Sequence, residues 1–476
     1  MSTASDAVPV PKMADRAADC AERLLAADRV LVASHIDADG LTSAAVAGAA
    51  LERAGIPHEQ TFYKQLDADA IAELAATDYE TVLFTDFGSG QLDDIATHEQ
   101  RGDFVPVVAD HHQPADAETE YHLNPLLFGI NGARELSGAG AAYVLARALE
   151  RGDVDNRDLA ATAVVGAVGD MQDSDGELQG ANAAIVEEGV AAGALAEAKD
   201  LAVYGKQTRP LPKLLEYATD TYVPGISNSY TGAVDFLDDL DVDCRGDERE
   251  WKRWVDLTDE ERQRVASALV QHAVRRGVPA RKIDRLVGTT YTLTNEPSGT
   301  ELRDASEFST LLNATARYDR ADVGLAVCLG DRTGALETAR ELLRTHRRNL
   351  SNGLDWVKEH GVTDAGNVQW FDAGDEIRET IVGIVAGMSM GVDGVARSKP
   401  VVAFAEESDE ETKVSSRGTG ALVRQGLDLS NVMGEAAEAV GGGGGGHDIA
   451  AGATIPTGTE EAFVEHANRV VGDQLG

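Results

Sequence analysis

Arg29-Val30-Leu31-Val32-Ala33-Ser34-His35-Ile36-Asp37-Ala38-Asp39-Gly40 is a short apolar run that ends abruptly in one imidazole and two carboxylates at alternate positions. Small and apolar residues follow from Leu41 to Leu51, with Thr42 and Ser43 near their start. The stretch reads as a buried strand, a tight turn and a helix. As the backbone turns, the alternation of His35, Asp37 and Asp39 aims several ligands into one space. Asp and Gly are also ordinary turn residues, and that alone explains most isolated Asp-Ala-Asp-Gly segments. A calcium loop is excluded. With Gly40 in its sixth place, the twelfth is Val46, where a bidentate Glu is needed.

The pattern recurs downstream. Glu80 to Gly88 is an apolar run carrying Asp86 near its end, and Asp103 to Ala109 leads into Asp110-His111-His112. A fourth apolar segment, Leu159 to Val168, runs into Gly169-Asp170-Met171-Gln172-Asp173. Four apolar segments that each end in Asp or His, separated by helical stretches, predict an α/β fold. Its N-terminal part is a doubly wound parallel sheet with a ligand crevice at the carboxyl ends of the strands. Ser137-Gly138-Ala139-Gly140-Ala141-Ala142 opens a helix that continues to Glu150, and its small residues predict a packing role.

A chain of 476 residues is long enough for two or three domains with their own cores. The formal net charge is −39. Taken alone, that acidity argues against a nucleic-acid partner, because phosphates need counter-charge. The even spread of the excess fits adaptation to molar intracellular salt, as in halophiles, where the Debye length is roughly 3 Å. Under such screening any grip on phosphate must be short-range, made by metals, backbone amides and a few Arg. The three cysteines, Cys20, Cys244 and Cys328, are odd in number and widely spaced. They predict a reducing cytoplasm without a disulfide framework or a Cys-based zinc site. Met1 to Asp19 has no apolar core for a signal peptide, and no window approaches a membrane span, so a cytoplasmic location is expected.

Three segments are expected: 1–200 around the site, a partly helical connecting or interaction region over 201–349, and a smaller α/β domain over 350–476. A helix is predicted over Ala14–Leu25. In the middle, Thr258 and Glu261 have capping-box spacing before a helix to Arg276. A further helix is read at Ala305–Arg317 and a strand at Val323–Leu329. Beyond residue 350, strands are read at Val368–Phe371, Val401–Ala405 and Thr412–Arg417, with a helix at Glu376–Met388.

Gathered on one sheet edge, His35, Asp37, Asp39, Asp86, Asp110, His111, His112 and Asp170 make a dense carboxylate-imidazole cluster. So many carboxylates without cations are costly through mutual repulsion and desolvation. Divalent metals resolve that cost, and Asp with His but no Cys suits Mn²⁺, or Mg²⁺ as the alternative, better than a structural zinc. The donors suffice for two ions. Two metals roughly 3.5–4 Å apart serve phosphoryl hydrolysis by activating a water and neutralising charge on the phosphate. For any single residue a cap, a turn or a satisfied core His is the commoner explanation. The joint arrangement is what points to metal.

These motifs resemble, in order, the four motifs of DHH phosphoesterases: His35-Ile36-Asp37-Ala38-Asp39-Gly40, the lone Asp86, Asp110-His111-His112 and Gly169-Asp170. Gly443-Gly444-Gly445-Gly446-His447 is similar to the GGGH signature of the associated DHHA1 domain. Gly441 and Gly442 add to the usual tract. The likeness covers nearly the whole chain. Within the family it looks nearest to archaeal RecJ-like exonucleases, on Ser137 to Gly140, Gly166 to Asp173 and Glu307-Phe308-Ser309-Thr310-Leu311-Leu312-Asn313. The resemblance implies one metal held by His35, Asp37 and Asp86, and a second by Asp39, Asp86, His111 and Asp170, with Asp86 bridging. It places His112 on substrate phosphate and Asp110 behind the imidazoles, so that Asp37, Asp39, Asp86, Asp110, His111, His112 and Asp170 form the catalytic set. A row of glycines is ordinarily a flexible linker. Here His447 follows at once and small and apolar residues continue to Ile455, so Gly443, Gly444, Gly445, Gly446 and His447 read as a grip on the substrate backbone. Arg417 matches a phosphate-contacting Arg of the family's second domain.

The implied protein is a two-domain, two-metal phosphodiesterase with substrate in the cleft between its domains. It would degrade single-stranded nucleic acid from an end, by family default DNA in the 5′-to-3′ direction, in repair or replication. Two rivals stand beside it. One keeps the chemistry but shrinks the substrate to short oligoribonucleotides or cyclic dinucleotides. The other is a replication-fork scaffold that binds the GINS complex, with the middle region as the contact.

Overall fold

The computed structural model describes residues 8–173, 176–218 and 221–476. The chain divides into two compact units, residues 1–340 and 341–476.

In the first unit the opening apolar run forms β1 (Val30–His35), buried until its last residue. It is joined by β2 (His58–Tyr63), β3 (Thr81–Thr85), β4 (Val105–Ala109) and β5 (Tyr121–Leu123) in a five-stranded sheet of order β2-β1-β3-β4-β5. Every pairing in it is parallel. The helices are α1 (Ala14–Leu25), α2 (Ala38–Arg53), α3 (Ala68–Ala75), α4 (Leu92–Arg101), α5 (Gly138–Ala148) and α6 (Ala160–Gly169). Alternate residues decide the layers. Leu31, Ala33, Val82, Phe84 and Val108 pack with Ile71, Leu74, Leu92 and Ile95 of α3 and α4. On the other face α1, α2 and α5 cover the sheet. The sheet is doubly wound, as the strand-end pattern predicted.

Two apolar segments read as strands are helices. Leu159 to Val168 is mostly α6, packed against α2 and α5, and it supplies Asp170 from a helix end rather than a strand end. The fifth strand is instead the short β5. Likewise the segment Val323–Leu329 lies in α13 (Ala321–Cys328) up to its C-cap Leu329, packed on α2. The physical reason is common to both. A short apolar run shows no clear 3.6-residue or two-residue period, so it does not by itself reveal which element it is. Ala then tips the balance towards helix.

The rest of the first unit is α7 (Gly180–Ala191), β6 (Leu195–Leu201), α8 (Leu211–Glu216), α9 (Tyr230–Asp238), α10 (Asp259–Arg275), α11 (Ala280–Ile283), β7 (Val287–Leu293), α12 (Ala305–Ala316) and α13. Thr258 and Glu261 close the expected capping box on α10. β6 and β7 form an antiparallel ribbon. The middle stretch has its own core, in which Leu211, Leu214, Leu215, Leu237, Val265 and Leu269 surround Trp254. The Trp254 indole N–H also reaches the Asp200 carboxylate at 3.0 Å. This is a packed module with a full apolar centre.

The division between units falls within α14 (Gly334–His360). The second unit holds β8 (Thr363–Asp364), β9 (Gln369–Asp372), α15 (Glu379–Ser389), β10 (Val401–Glu406), β11 (Glu411–Arg417), α16 (Gly420–Val423), α17 (Leu429–Ala439), β12 (Gly443–Gly446), β13 (Ala450–Pro456) and α18 (Glu460–Leu475). Its sheet runs β12-β13-β11-β10-β9-β8. The glycine tract is therefore an edge strand and not a linker. Gly444 is needed there for close approach, since a Cβ would come within 2.7 Å of the Met433 carbonyl oxygen on α17. No described helix is long and apolar enough to cross a membrane.

Trp254→Ala removes the largest side chain of the middle core and leaves Asp200 without its indole donor. The expected cost is about 3–5 kcal/mol, read as a lower urea midpoint by circular dichroism. A loss below about 1 kcal/mol would mean the module does not depend on that core.

Candidate metal centre

The strand order reverses between β1 and β3, and in open α/β sheets ligands bind outside the carboxyl ends at that reversal. His35 ends β1, Asp37 caps α2 by accepting the Gly40 N–H at 3.0 Å, and Asp86 directly follows β3. Asp110, His111 and His112 directly follow β4, the next strand over. Asp170 arrives from the end of α6. The topology thus brings together every N-terminal residue singled out from the sequence.

The ligating atoms of His35, Asp37 and Asp86 lie within 4.8 Å of one another, and so do those of Asp39, His111 and Asp170. Asp86 stands between the two groups. Its Oδ2 is 3.6 Å from His35 Nδ1 and its Oδ1 is 3.3 Å from His111 Nε2. Asp86 Oδ1 is buried without a hydrogen bond, and the residue holds a left-handed φ of 61°. Asp tolerates that conformation better than most residues, but it is strained backbone of the kind that collects at functional sites. Two carboxylates about 4 Å apart repel by about 4 kcal/mol at an effective dielectric near 20. Asp37, Asp39, Asp86 and Asp170 meet here, so the donor set fits divalent cations and is costly without them.

The tautomers fit as well. His111 Nδ1 lies 2.7 Å from the Gly132 carbonyl oxygen. A carbonyl only accepts, so Nδ1 carries a proton and Nε2 faces Asp86 and Asp39 as the nitrogen able to bind a metal. Gln172 donates to the same carbonyl and to Asp170 Oδ2, both at 2.8 Å, and Asn182 steadies Gln172 at 2.6 Å. Asp110 is fully buried and already satisfied. Its Oδ1 accepts the His111 N–H at 2.7 Å and lies 2.8 Å from His112 Nδ1, while its Oδ2 accepts the Ser89 N–H at 2.9 Å. That is the geometry of a buttress. His112, which it holds, is more than half exposed, at 55%.

The Gly-rich opening of α5 does more than pack. Asp39 Oδ2 accepts the Gly138 N–H at 2.7 Å and Oδ1 the Ala139 N–H at 2.9 Å, so a helix N-terminus fixes this buried carboxylate. A Cβ on Gly138 would run into the Asp86 side chain. Ser137 before an apolar helix was the available sign of that helix start, and Asp39 as its ligand had none.

Titration follows from the crowding. Burial opposes protonation of His35, but hydrogen bonds to Asp37 and Asp86 override it and push the imidazole up to about 11. Burial would raise Asp37, yet His35, the Gly40 N–H and the charge of Arg317 hold it well below the usual carboxylate range. Asp39 goes the other way, held well above that range by burial and by Asp86 and Asp170.

In the second unit, Arg417 ends β11 opposite Ala450, Gly446 pairs with Ala451, and the His447 N–H donates to the Ala450 carbonyl at 2.9 Å. Arg417, Gly446 and His447 therefore lie at the same end of that sheet, with β13 between their strands.

Sheet order, a site at its reversal and a partly buried Asp/His donor set define an α/β protein with a candidate centre for divalent cations. The chain belongs to the DHH family. It matches the DHH family N-terminal domain over residues 29–167, the DHH-CID domain over 203–287 and the DHHA1 domain over 366–473. An uncharacterised protein of Methanocaldococcus jannaschii is 31% identical over 454 residues, 94% of each chain. Among solved structures, RecJ of Thermus thermophilus in complex with Mn²⁺ is similar with a TM-score of 0.60 at 17% identity, covering 98% of this chain and 55% of that one. The chain thus spans about half the length of that RecJ. A second exonuclease RecJ, bound to manganese, matches with a TM-score of 0.60 at 18% identity over 97% of this chain and 94% of that one. CDC45 from Entamoeba histolytica matches with a TM-score of 0.65 at 9% identity, over 96% and 97%. The fold is RecJ-like.

Without an ion, His35 keeps its proton to about pH 11, and Asp39 keeps one well above the carboxylate range. A cation needs both deprotonated, so Mn²⁺ binding should release protons and tighten as pH rises towards the value at which His35 loses its proton. Calorimetry in buffers of different ionisation heat measures this. Binding with no proton release would contradict the assignment.

Proposed function

We propose that this protein is a metal-dependent exonuclease that hydrolyses phosphodiester bonds of single-stranded nucleic acid, with DNA cut 5′ to 3′ as the first substrate to test. The observation that carries the reading is Asp86: a strained, buried carboxylate shared by two groups of donors, with one oxygen left without a hydrogen bond. His35, Asp37 and Asp86 would hold one divalent ion, and Asp39, Asp86, His111 and Asp170 a second. Bound there, such a pair supplies a hydroxide near neutral pH and neutralises charge on the phosphate. Mn²⁺ is proposed over Mg²⁺ because imidazole donors favour it. Asp110 fixes the imidazole of His112, whose exposed ring would meet substrate phosphate. Arg417, Gly443, Gly444, Gly445, Gly446 and His447 offer a guanidinium and closely spaced backbone around one sheet end, suited to a phosphate backbone. The likeness to the manganese-bound RecJ structures supports the same chemistry.

The test uses DNA and RNA strands labelled at either end, with Mn²⁺ in high salt. Stepwise shortening of single-stranded DNA is expected, and Asp86→Ala should lower the rate by at least about 10³-fold. Unchanged activity in that variant would refute the metal assignment, and preference for dinucleotides would move the substrate to short oligoribonucleotides or cyclic dinucleotides.

A second role rests on the middle module. Its match to the DHH-CID domain and the CDC45-like fold support a contact with the GINS replication complex through residues 201–349. Co-purification with GINS should then be lost when the exposed face of α10 is reversed in charge. A pull-down without GINS removes the suggestion.

A further inference from the structure

α12 carries none of the metal ligands, yet it touches two of the loops that do. The side-chain oxygen of Asn313 accepts the N–H of Ala38 at 3.1 Å. Ala38 lies between Asp37 and Asp39 and is the first residue of α2. The first N–H groups of a helix have no partner inside it. Asp37 takes that of Gly40, and a residue 275 positions along the chain takes that of Ala38. On the same face of α12, one turn earlier, Ser309 lies beside Gly169, the residue before Asp170. A Cβ added to Gly169 would come within 2.8 Å of the Ala38 Cβ and 3.3 Å of the Ser309 Cβ. The two ligand loops and α12 are thus in mutual contact.

The helix is itself held firmly. Asp304 caps it by accepting the N–H groups of Ser306 and Glu307. Glu307 is fully buried and accepts the Gln207 N–H at 2.7 Å and the Thr208 hydroxyl at 2.5 Å. A side chain on so fixed an element holds its partner in place rather than following it.

Resting on the metal-dependent reading above, we infer that Asn313 is a positioning residue, which through the Ala38 N–H fixes where Asp37 and Asp39 present their carboxylates. Asn313 acts on the main chain between two ligands that serve different donor groups. Losing its oxygen leaves the Ala38 N–H unpaired and lets the two mutually repelling carboxylates relax apart. Metal affinity falls, and the fold, whose core lies elsewhere, persists. Supporting partners of metal ligands typically contribute about 10–100-fold in affinity.

The experiment titrates the full-length protein with Mn²⁺ and reads free Mn²⁺ by electron paramagnetic resonance, with thermal unfolding of the metal-free protein alongside. Asn313→Leu and Asn313→Ala should weaken Mn²⁺ binding by about 10-fold or more. Asn313→Asp, which still offers an oxygen to Ala38, should bind Mn²⁺ more tightly than the Leu and Ala variants. Folded Leu and Ala variants with wild-type affinity overturn the inference, and so does an Asp variant as weak as they are. Failure of both to fold where wild type is folded also overturns it, because Asn313 would then hold the fold and not the loop. Wild-type protein that takes up no Mn²⁺ refutes the underlying metal reading instead, and is distinguished by the missing wild-type binding curve.

Discussion

Mutual repulsion of buried carboxylates is the constraint that organises the first unit. Asp37, Asp39, Asp86 and Asp170 converge where the sheet order reverses, and water is largely excluded from Asp39 and Asp86. Crowded like charges of this kind are relieved by opposite charge or by taking up a proton, as the raised pKa of Asp39 shows. The protein's own cationic groups near these acids are the imidazoles of His35, His111 and His112 and the guanidinium of Arg317, and His111 has a nitrogen turned away to Gly132. The scaffold therefore has to hold the acids together against their tendency to separate.

It does so with directed hydrogen bonds and little else. The start of α5 grips Asp39 with two backbone N–H groups, the Gly40 N–H grips Asp37, and Gln172 grips Asp170. A fully satisfied Asp110 locks the His111-His112 corner from behind, with Ser89 as its partner. Asn124 donates both to that serine's hydroxyl and to the His112 carbonyl, each at 2.8 Å. Asp86 is the exception, since one of its oxygens has no donor. A carboxylate oxygen left open beside carboxylates that are gripped by N–H donors is what the proposed cation site calls for.

The acidity of the chain bears on how such a centre meets a polyanion. At a net charge of −39, attraction over distance does not bring nucleic acid to the surface. On the proposed function contact-range groups would have to suffice, and the second unit would offer them as the backbone of its glycine edge strand. Its edge strand has no side chains, and Arg417 lies near the strand's far end. Backbone dipoles keep their strength at high salt better than an exposed cationic surface, because screening acts over a few ångström while a hydrogen bond is made at contact.

Read alone, the sequence determined the parallel sheet, the residues at its strand ends and the donor chemistry, because a strand that stops at Asp or His writes its polarity into a local pattern. The helical capping box at Thr258 was legible for the same reason: its partners are three residues apart. Tertiary structure decided what local pattern does not encode. The short apolar runs in Ala160–Gly169 and Ala321–Cys328 carry no clear period to read and turned out helical. The glycine tract became a strand because α17 packs against its bare backbone. The grip of α5 on Asp39 and of Asn313 on Ala38 joins residues 99 and 275 positions apart, and only the folded chain brings such groups within hydrogen-bonding distance.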